Sequence, residues 1–136
     1  MTAKERKITK ELRSKMEQSR TSTFKTVFPK ATNRHDTLFG GTALQWIDEV
    51  ASIAATRFCR QEVSTVSLDR TDFNKPIPSG SIVELIAQVF TVGTTSLKVR
   101  VEVYIEKMYS NERVKAIDSL VTFVAVKNGK PVPVKI

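Results

Sequence analysis

A chain of 136 residues with 40% apolar side chains suits one domain with its own core and leaves little room for a second. The single cysteine, Cys59, excludes an internal disulfide framework and a multi-cysteine zinc site, and no stretch approaches the roughly 18 apolar residues of a membrane span. The formal net charge of +8, from 22 basic and 14 acidic residues, favours anionic partners: nucleic acid, an anionic membrane or a small phosphorylated ligand. The N-terminus is charged with no apolar signal-peptide core behind it, so a cytoplasmic protein is expected.

Residues 1–22 read as a basic arm, helix-capable between Lys4 and Gln18, short of apolar anchors and only loosely tied to the fold. Lys4, Arg6, Lys7, Lys10, Arg13, Lys15 and Arg20 face only Glu5, Glu11 and Glu17 there, which places much of the charge excess in this segment. With no aromatic residues interleaved, nucleic-acid binding is not expected of it. A single domain should then occupy residues 23–136. Phe24 to Phe28 alternates apolar and polar residues as a strand does, and Pro29 closes it.

Gly40-Gly41 opens the longest run free of Gly and Pro in helix-forming composition, Thr42 to Cys59. Spacing its residues about 100° apart puts Ala43, Ile47, Val50, Ala51, Ala54 and Phe58 on one apolar face, and Thr42, Gln45, Glu49, Ser52 and Thr56 on a polar stripe. Trp46 and Ile53 border that stripe, so the helix is apolar nearly all round and should be buried, with Trp46 and Ile53 free for a second subunit. Four strands follow: Val63 to Phe73, Ser81 to Val92, Leu97 to Tyr109 and Arg113 to Val126. The third has the cleanest period of two, with Leu97, Val99, Val101, Val103 and Ile105 on one face. Short links make the last three an antiparallel meander, and Lys127 to Pro131 should end the folded part. The sum is an α+β domain, five antiparallel strands and one long buried helix.

Asp48 falls at the margin of the apolar face between Leu44 and Ala55, while Glu49 points into the polar stripe. A partly desolvated carboxylate needs a reason: general base, nucleophile, or a structural pair with Arg57 or Arg60. Gly40-Gly41 at a helix start offers free N–H groups to an anion or a developing oxyanion, or else simply permits a tight turn. Asn33 either orients a ligand or caps a turn. His35, the only histidine, lacks triad or metal partners and reads as loop structure or a substrate contact. Gly93-Thr94-Thr95-Ser96 is a hairpin turn whose hydroxyls and N–H groups suit phosphate.

Asn33-Arg34-His35-Asp36-Thr37-Leu38-Phe39-Gly40-Gly41, followed by Trp46-Ile47-Asp48-Glu49-Val50-Ala51, resembles the hotdog-fold acyl-CoA thioesterases, in the branch of the cytosolic (brain-type) hydrolases and their single-domain bacterial relatives. Arg70-Thr71-Asp72-Phe73 with Pro76, Gly93 to Ser96, and Phe123 to Val126 before Gly129-Lys130-Pro131 extend the likeness over about residues 24–135. The resemblance implies a sheet wrapped round the central helix, an active site at a two-fold dimer interface, and a trimer of dimers. It implies hydrolysis of a fatty acyl-CoA without metal or other cofactor, with Asp48 as catalytic acid, Asn33 working with it across the interface, and Gly40 and Gly41 binding the thioester oxygen. Thr94, Thr95 and Ser96 would lie near the coenzyme A moiety. Many relatives have Gly where this chain has Asp36. A non-catalytic acyl-CoA-sensing module is the alternative the same residues allow.

Overall fold

The computed structural model describes residues 5–136, so Lys4 and the start of the arm lie outside the described residues. Helix α1 spans Lys10–Gln18, strand β1 Thr21–Thr26 and helix α2 Gly40–Cys59. Strands β2 (Val63–Phe73), β3 (Ile82–Val92), β4 (Ser96–Glu106) and β5 (Arg113–Lys127) follow, then a two-residue β6 at Lys130–Pro131. All pairings are antiparallel, in the order β1-β3-β4-β5-β2, with β6 paired to β5. The sheet curls so that α2 packs against all five long strands, which is the hotdog fold.

The helical period explains this placement. Ala43, Ile47, Val50, Ala51, Ala54 and Phe58 are all buried, together with Ala55 and Cys59. Ala51, Ala54 and Ala55 have no exposed surface, because small side chains let the sheet approach the helix backbone. Opposite them lie the inward residues of the meander, Val83, Leu85, Val99, Val101, Val121 and Phe123, each at most 1% exposed. Alternation along β4 buries Leu97, Val99, Val101, Val103 and Ile105 and turns Lys98, Arg100, Glu102 and Tyr104 outward.

The outer face is laced with ion pairs. Glu102 and Asp118 lie directly opposite each other on β4 and β5, a repulsive arrangement alone. Arg100 donates two bonds to Asp118 (3.1 and 2.8 Å), and Lys115 bridges Asp118 (2.8 Å) and Glu102 (2.9 Å). The Arg100 hydrogen bonds are the main reason the Asp118 carboxyl titrates at about 2.

The two chain ends differ from expectation. The N-terminal segment is not loosely tied: Thr9 caps α1 through a bond from Leu12 N–H, and Leu12 and Met16, one turn apart, are buried in the core cluster. Strand β1 already starts at Thr21, inside the stretch assigned to the arm. Chain beyond Lys127 is folded as well. Asn128 (φ 53°) and Gly129 (φ 75°) make the tight turn into β6, and Val134 returns to the core at 2% exposure.

Candidate active site

Phe39 is the N-cap of α2, and no side chain caps the helix. Its first intrahelical bond runs from Ala43 N–H to the Phe39 carbonyl at 3.0 Å. The N–H groups of Gly40, Gly41 and Thr42 therefore have no helical acceptor, and the helix dipole adds to their positive potential. Neither glycine has positive φ, so the turn itself does not demand them. A Cβ on Gly41 would sit 2.9 Å from Cε1 of the exposed Phe39 ring and push it aside, and one on Gly40 would only touch Phe73 Cζ at 4.0 Å. The result is bare backbone with donors facing outward.

The loop before the helix is held by its own polar groups. Asn33 Oδ1 accepts bonds from His35 N–H (2.8 Å), Thr37 N–H (3.3 Å) and the Thr37 hydroxyl (3.2 Å). Asn33 thus caps the turn, and its amide nitrogen is the end left to meet a ligand. Asp36 adopts a left-handed backbone (φ 60°), its N–H donating to Asn33 O and its carbonyl accepting from Ser79 N–H. That geometry gives Asp36 a structural role and explains why glycine suits the position. His35 stays on the exposed loop, accepting a 3.4 Å bond from Arg34.

Asp48 is half-buried on α2, and its Oδ1 accepts a 2.8 Å hydrogen bond from the Thr65 hydroxyl on β2. Neither arginine considered for it is its partner: Arg57 instead donates to Arg20 O and Thr21 Oγ1. Glu49 is held at the surface by Gln45. The pair Asp48–Thr65 therefore stands apart, with Oδ2 available. Thr65 escaped the sequence reading, since one hydroxyl in a strand rich in Ser and Thr carries no mark of its own.

Helix geometry sets a limit on what one chain does alone. Gly40 and Asp48 are eight residues apart, about 12 Å along the axis at 1.5 Å per residue. A carbonyl oxygen on the Gly40–Gly41 amides and a base on its carbon have to sit within about 3 Å of adjacent atoms. One chain does not meet that condition. Strand β2 supplies a means to meet it. It lies at an open edge of the sheet, eleven residues long, with Val66, Leu68 and Phe73 exposed. A long edge with unpaired backbone groups and exposed apolar side chains among its polar ones is a template for a second chain.

Two recesses adjoin these groups. A largely apolar pocket of about 280 Å³ beneath the start of α2 is lined by Leu38, Ala43, Phe73, Pro76, Ile77 and Ile117, together with Lys75. A groove of about 470 Å³ runs past Thr95, Ser96, Lys98, Ser67 and Val66, joining the Gly93 turn to the β2 edge. Among the described residues no cluster of three or more His, Cys, Asp or Glu side chains could hold a metal, and no helix is long and apolar enough to cross a membrane. Cys59 is buried, with Sγ 3.3 Å from the Ala55 carbonyl.

Comparison with known proteins identifies a family. The Thioesterase superfamily pattern matches residues 35–111, more than half of the chain. The uncharacterized acyl-CoA thioester hydrolase YkhA of Bacillus subtilis is 50% identical over 79% of this chain and 63% of its own. The chain thus spans a little under two thirds of the length of that relative. The acyl-CoA hydrolase of Staphylococcus aureus, solved with butyryl coenzyme A, coenzyme A and coenzyme A disulfide, superposes with a TM-score of 0.84 at 41% identity, over 88% of this chain and 73% of that one. Its solved forms include alanine variants of an asparagine, an aspartate and a threonine. The hexameric thioesterase y2039 of Yersinia pestis superposes with a TM-score of 0.77 at 29% identity, over 84% of this chain and 93% of that one. With the fold, the glycine-opened helix and its aspartate all in place, the chain belongs to the Thioesterase superfamily.

Proposed function

We propose that the protein is an acyl-CoA thioesterase, hydrolysing a fatty acyl-CoA to the free acid and coenzyme A at a site shared by two chains. The carrying observation is the separation of an uncapped helix N-terminus from a half-buried, hydrogen-bonded carboxylate on the same helix. Pairing along the β2 edges sets Gly40 and Gly41 of one chain against Asp48 of the other. The Gly41 N–H receives the thioester oxygen, where negative charge grows in the tetrahedral intermediate. Asp48, oriented by Thr65, takes the proton from an attacking water, or attacks the carbonyl carbon itself and is then released by water. The C–S bond breaks, and the coenzyme A thiolate leaves and is protonated. Asn33 positions water or the intermediate through its amide nitrogen.

Three further points support the reading. The variants made in the S. aureus enzyme are separated by intervals of 15 and 17 residues, the same intervals that separate Asn33, Asp48 and Thr65. The apolar pocket beneath Gly40 suits an acyl chain, and the Thr94–Ser96 loop beside the groove suits the phosphates of coenzyme A. The assembly we propose is a homodimer, and by analogy with the hexameric relative a trimer of dimers. No metal or redox cofactor enters this chemistry.

The test is release of free thiol from an acyl-CoA panel of varied chain length, wild type beside Asp48→Ala. Turnover by the wild type alone supports the reading. Tight binding of acyl-CoA without turnover by either overturns it in favour of the sensing module. Label entering the Asp48 carboxylate over multiple turnovers in heavy-oxygen water then identifies it as the nucleophile.

A further inference from the structure

The turn at Gly93 is fastened from behind by the N-terminal segment. Arg6 N–H donates to the Val92 carbonyl at 2.6 Å. The Arg6 guanidinium donates through Nη2 to the Thr94 carbonyl (3.0 Å) and to the Val134 carbonyl (2.8 Å). Val134 N–H also donates to Thr94 O (2.8 Å), Ala125 N–H to Thr95 O (2.9 Å), and Gly93 N–H to Ser96 O (2.7 Å). The carbonyls of Val92, Thr94, Thr95 and Ser96 are thus all engaged by the chain itself. Among the described residues, none of the hydroxyls of Thr94, Thr95 and Ser96 is spent on a protein group.

That sorting gives the loop a polarity. The backbone acceptors of Val92, Thr94, Thr95 and Ser96 are consumed by the chain, so the three hydroxyls and the Thr94 and Thr95 N–H groups are left as donors for a ligand. The guanidinium reinforces it, because a cation bonded to Thr94 O polarises the Thr94–Thr95 peptide and makes the Thr95 N–H a stronger donor. Arg6 also ties residue 6 to residues 94 and 134, adding to the direct bond from Val134 N–H to Thr94 O. Glu5 and Asp69 line the same groove: Glu5 is exposed and its charge is screened by solvent, and Asp69 is paired with Lys98 at 2.7 Å.

We infer that Arg6 is a positioning residue for coenzyme A binding: by bridging the Thr94 and Val134 carbonyls it holds the Thr94–Ser96 loop with its donors turned to the phosphorylated end of the ligand. This inference rests on the coenzyme A reading of the loop given above. Arg6 touches no reacting atom, so its removal weakens binding and leaves the chemical step alone.

The test compares wild type, Arg6→Ala and Arg6→Lys on an acyl-CoA and on the matching acyl-pantetheine thioester, which lacks the nucleotide. Arg6→Ala should raise KM for the acyl-CoA about tenfold with kcat unchanged, leave KM for the acyl-pantetheine unchanged, and speed amide exchange at residues 94–96. Arg6→Lys should fall between, since a single ammonium does not reproduce the guanidinium's planar fork of donors. An unchanged KM for the acyl-CoA, or an equal rise for both substrates, overturns the inference while the thioesterase reading stands. If the wild type hydrolyses neither thioester, that reading fails instead, and calorimetry with coenzyme A decides the inference. A Kd about tenfold weaker in Arg6→Ala then supports it, and an equal Kd or no binding to either overturns it.

Discussion

The two ends of helix α2 are built to opposite rules. At the C-terminal end nearly everything has a partner. Arg60 closes the helix in a left-handed conformation with its N–H on Thr56 O, Phe58 and Cys59 are buried, Arg57 is bonded to Arg20 and Thr21, and Lys15 of α1 lies 4.9 Å from the centre of the Phe58 ring. At the N-terminal end the cap has no side-chain bond, Phe39 is exposed, and the amides of Gly40 and Gly41 are bare. Asp48 lies between them, with one oxygen bonded to Thr65 and one available. Satisfied groups hold a fold together, whereas unsatisfied donors beside a poised carboxylate serve a ligand. Substitutions at the two ends should therefore read out in different measurements.

The largest effect should come from the open half. Asp48→Ala is expected to lower kcat by about a thousandfold or more, with circular dichroism and oligomer size unchanged. A stability loss matching the loss of rate would break the comparison. At the closed end, Phe58→Ala is expected to cost about 3 kcal/mol in denaturant unfolding, by loss of buried area and the cavity left behind. Activity of the fraction that remains folded should stay near normal. Thr65→Ala removes the hydroxyl that orients Asp48 and should lower kcat about tenfold with little change in midpoint.

The smallest effect belongs to the outer sheet face, away from either end. Asp118 has its folded pKa depressed to about 2 from an ordinary value of 3.8, chiefly by the Arg100 hydrogen bonds. Its contribution is fully present above the unfolded pKa and is lost as pH falls through the folded one, between about pH 4 and pH 2. Arg100 is partly exposed, so after screening the contribution is about 1 kcal/mol. The stability gap between wild type and Asp118→Asn should be present at neutral pH and close across that window. A gap independent of pH would show that the pair is not what holds Asp118 ionised.

Legibility in the sequence follows the same division. The apolar face of α2 and the alternation of β4 were readable because each repeats a physical period over many residues. Asp48 was readable as a break in such a period, and Gly40-Gly41 as a composition that helices otherwise avoid. Leu12 and Met16 were not read as anchors, because two apolar residues one turn apart in a polar segment form no pattern by themselves. Their burial depends on α1 meeting α2 and β3. Nor was the return of Val134 readable, since it depends on where the Asn128-Gly129 turn directs the chain. Thr65 lies 17 residues from Asp48, and their contact exists only because β2 takes the sheet edge next to β5. Contacts decided by topology leave no local trace.

The central claim is that each site draws on two chains, and complementation tests it most directly. Asp48→Ala and Asn33→Ala chains, each inactive alone, would be unfolded together and refolded as a mixture. In a two-fold heterodimer one site carries both substitutions and the other carries neither, so about a quarter of wild-type activity should return after random pairing. Activity no greater than the sum of the two variants refolded separately would contradict a shared site.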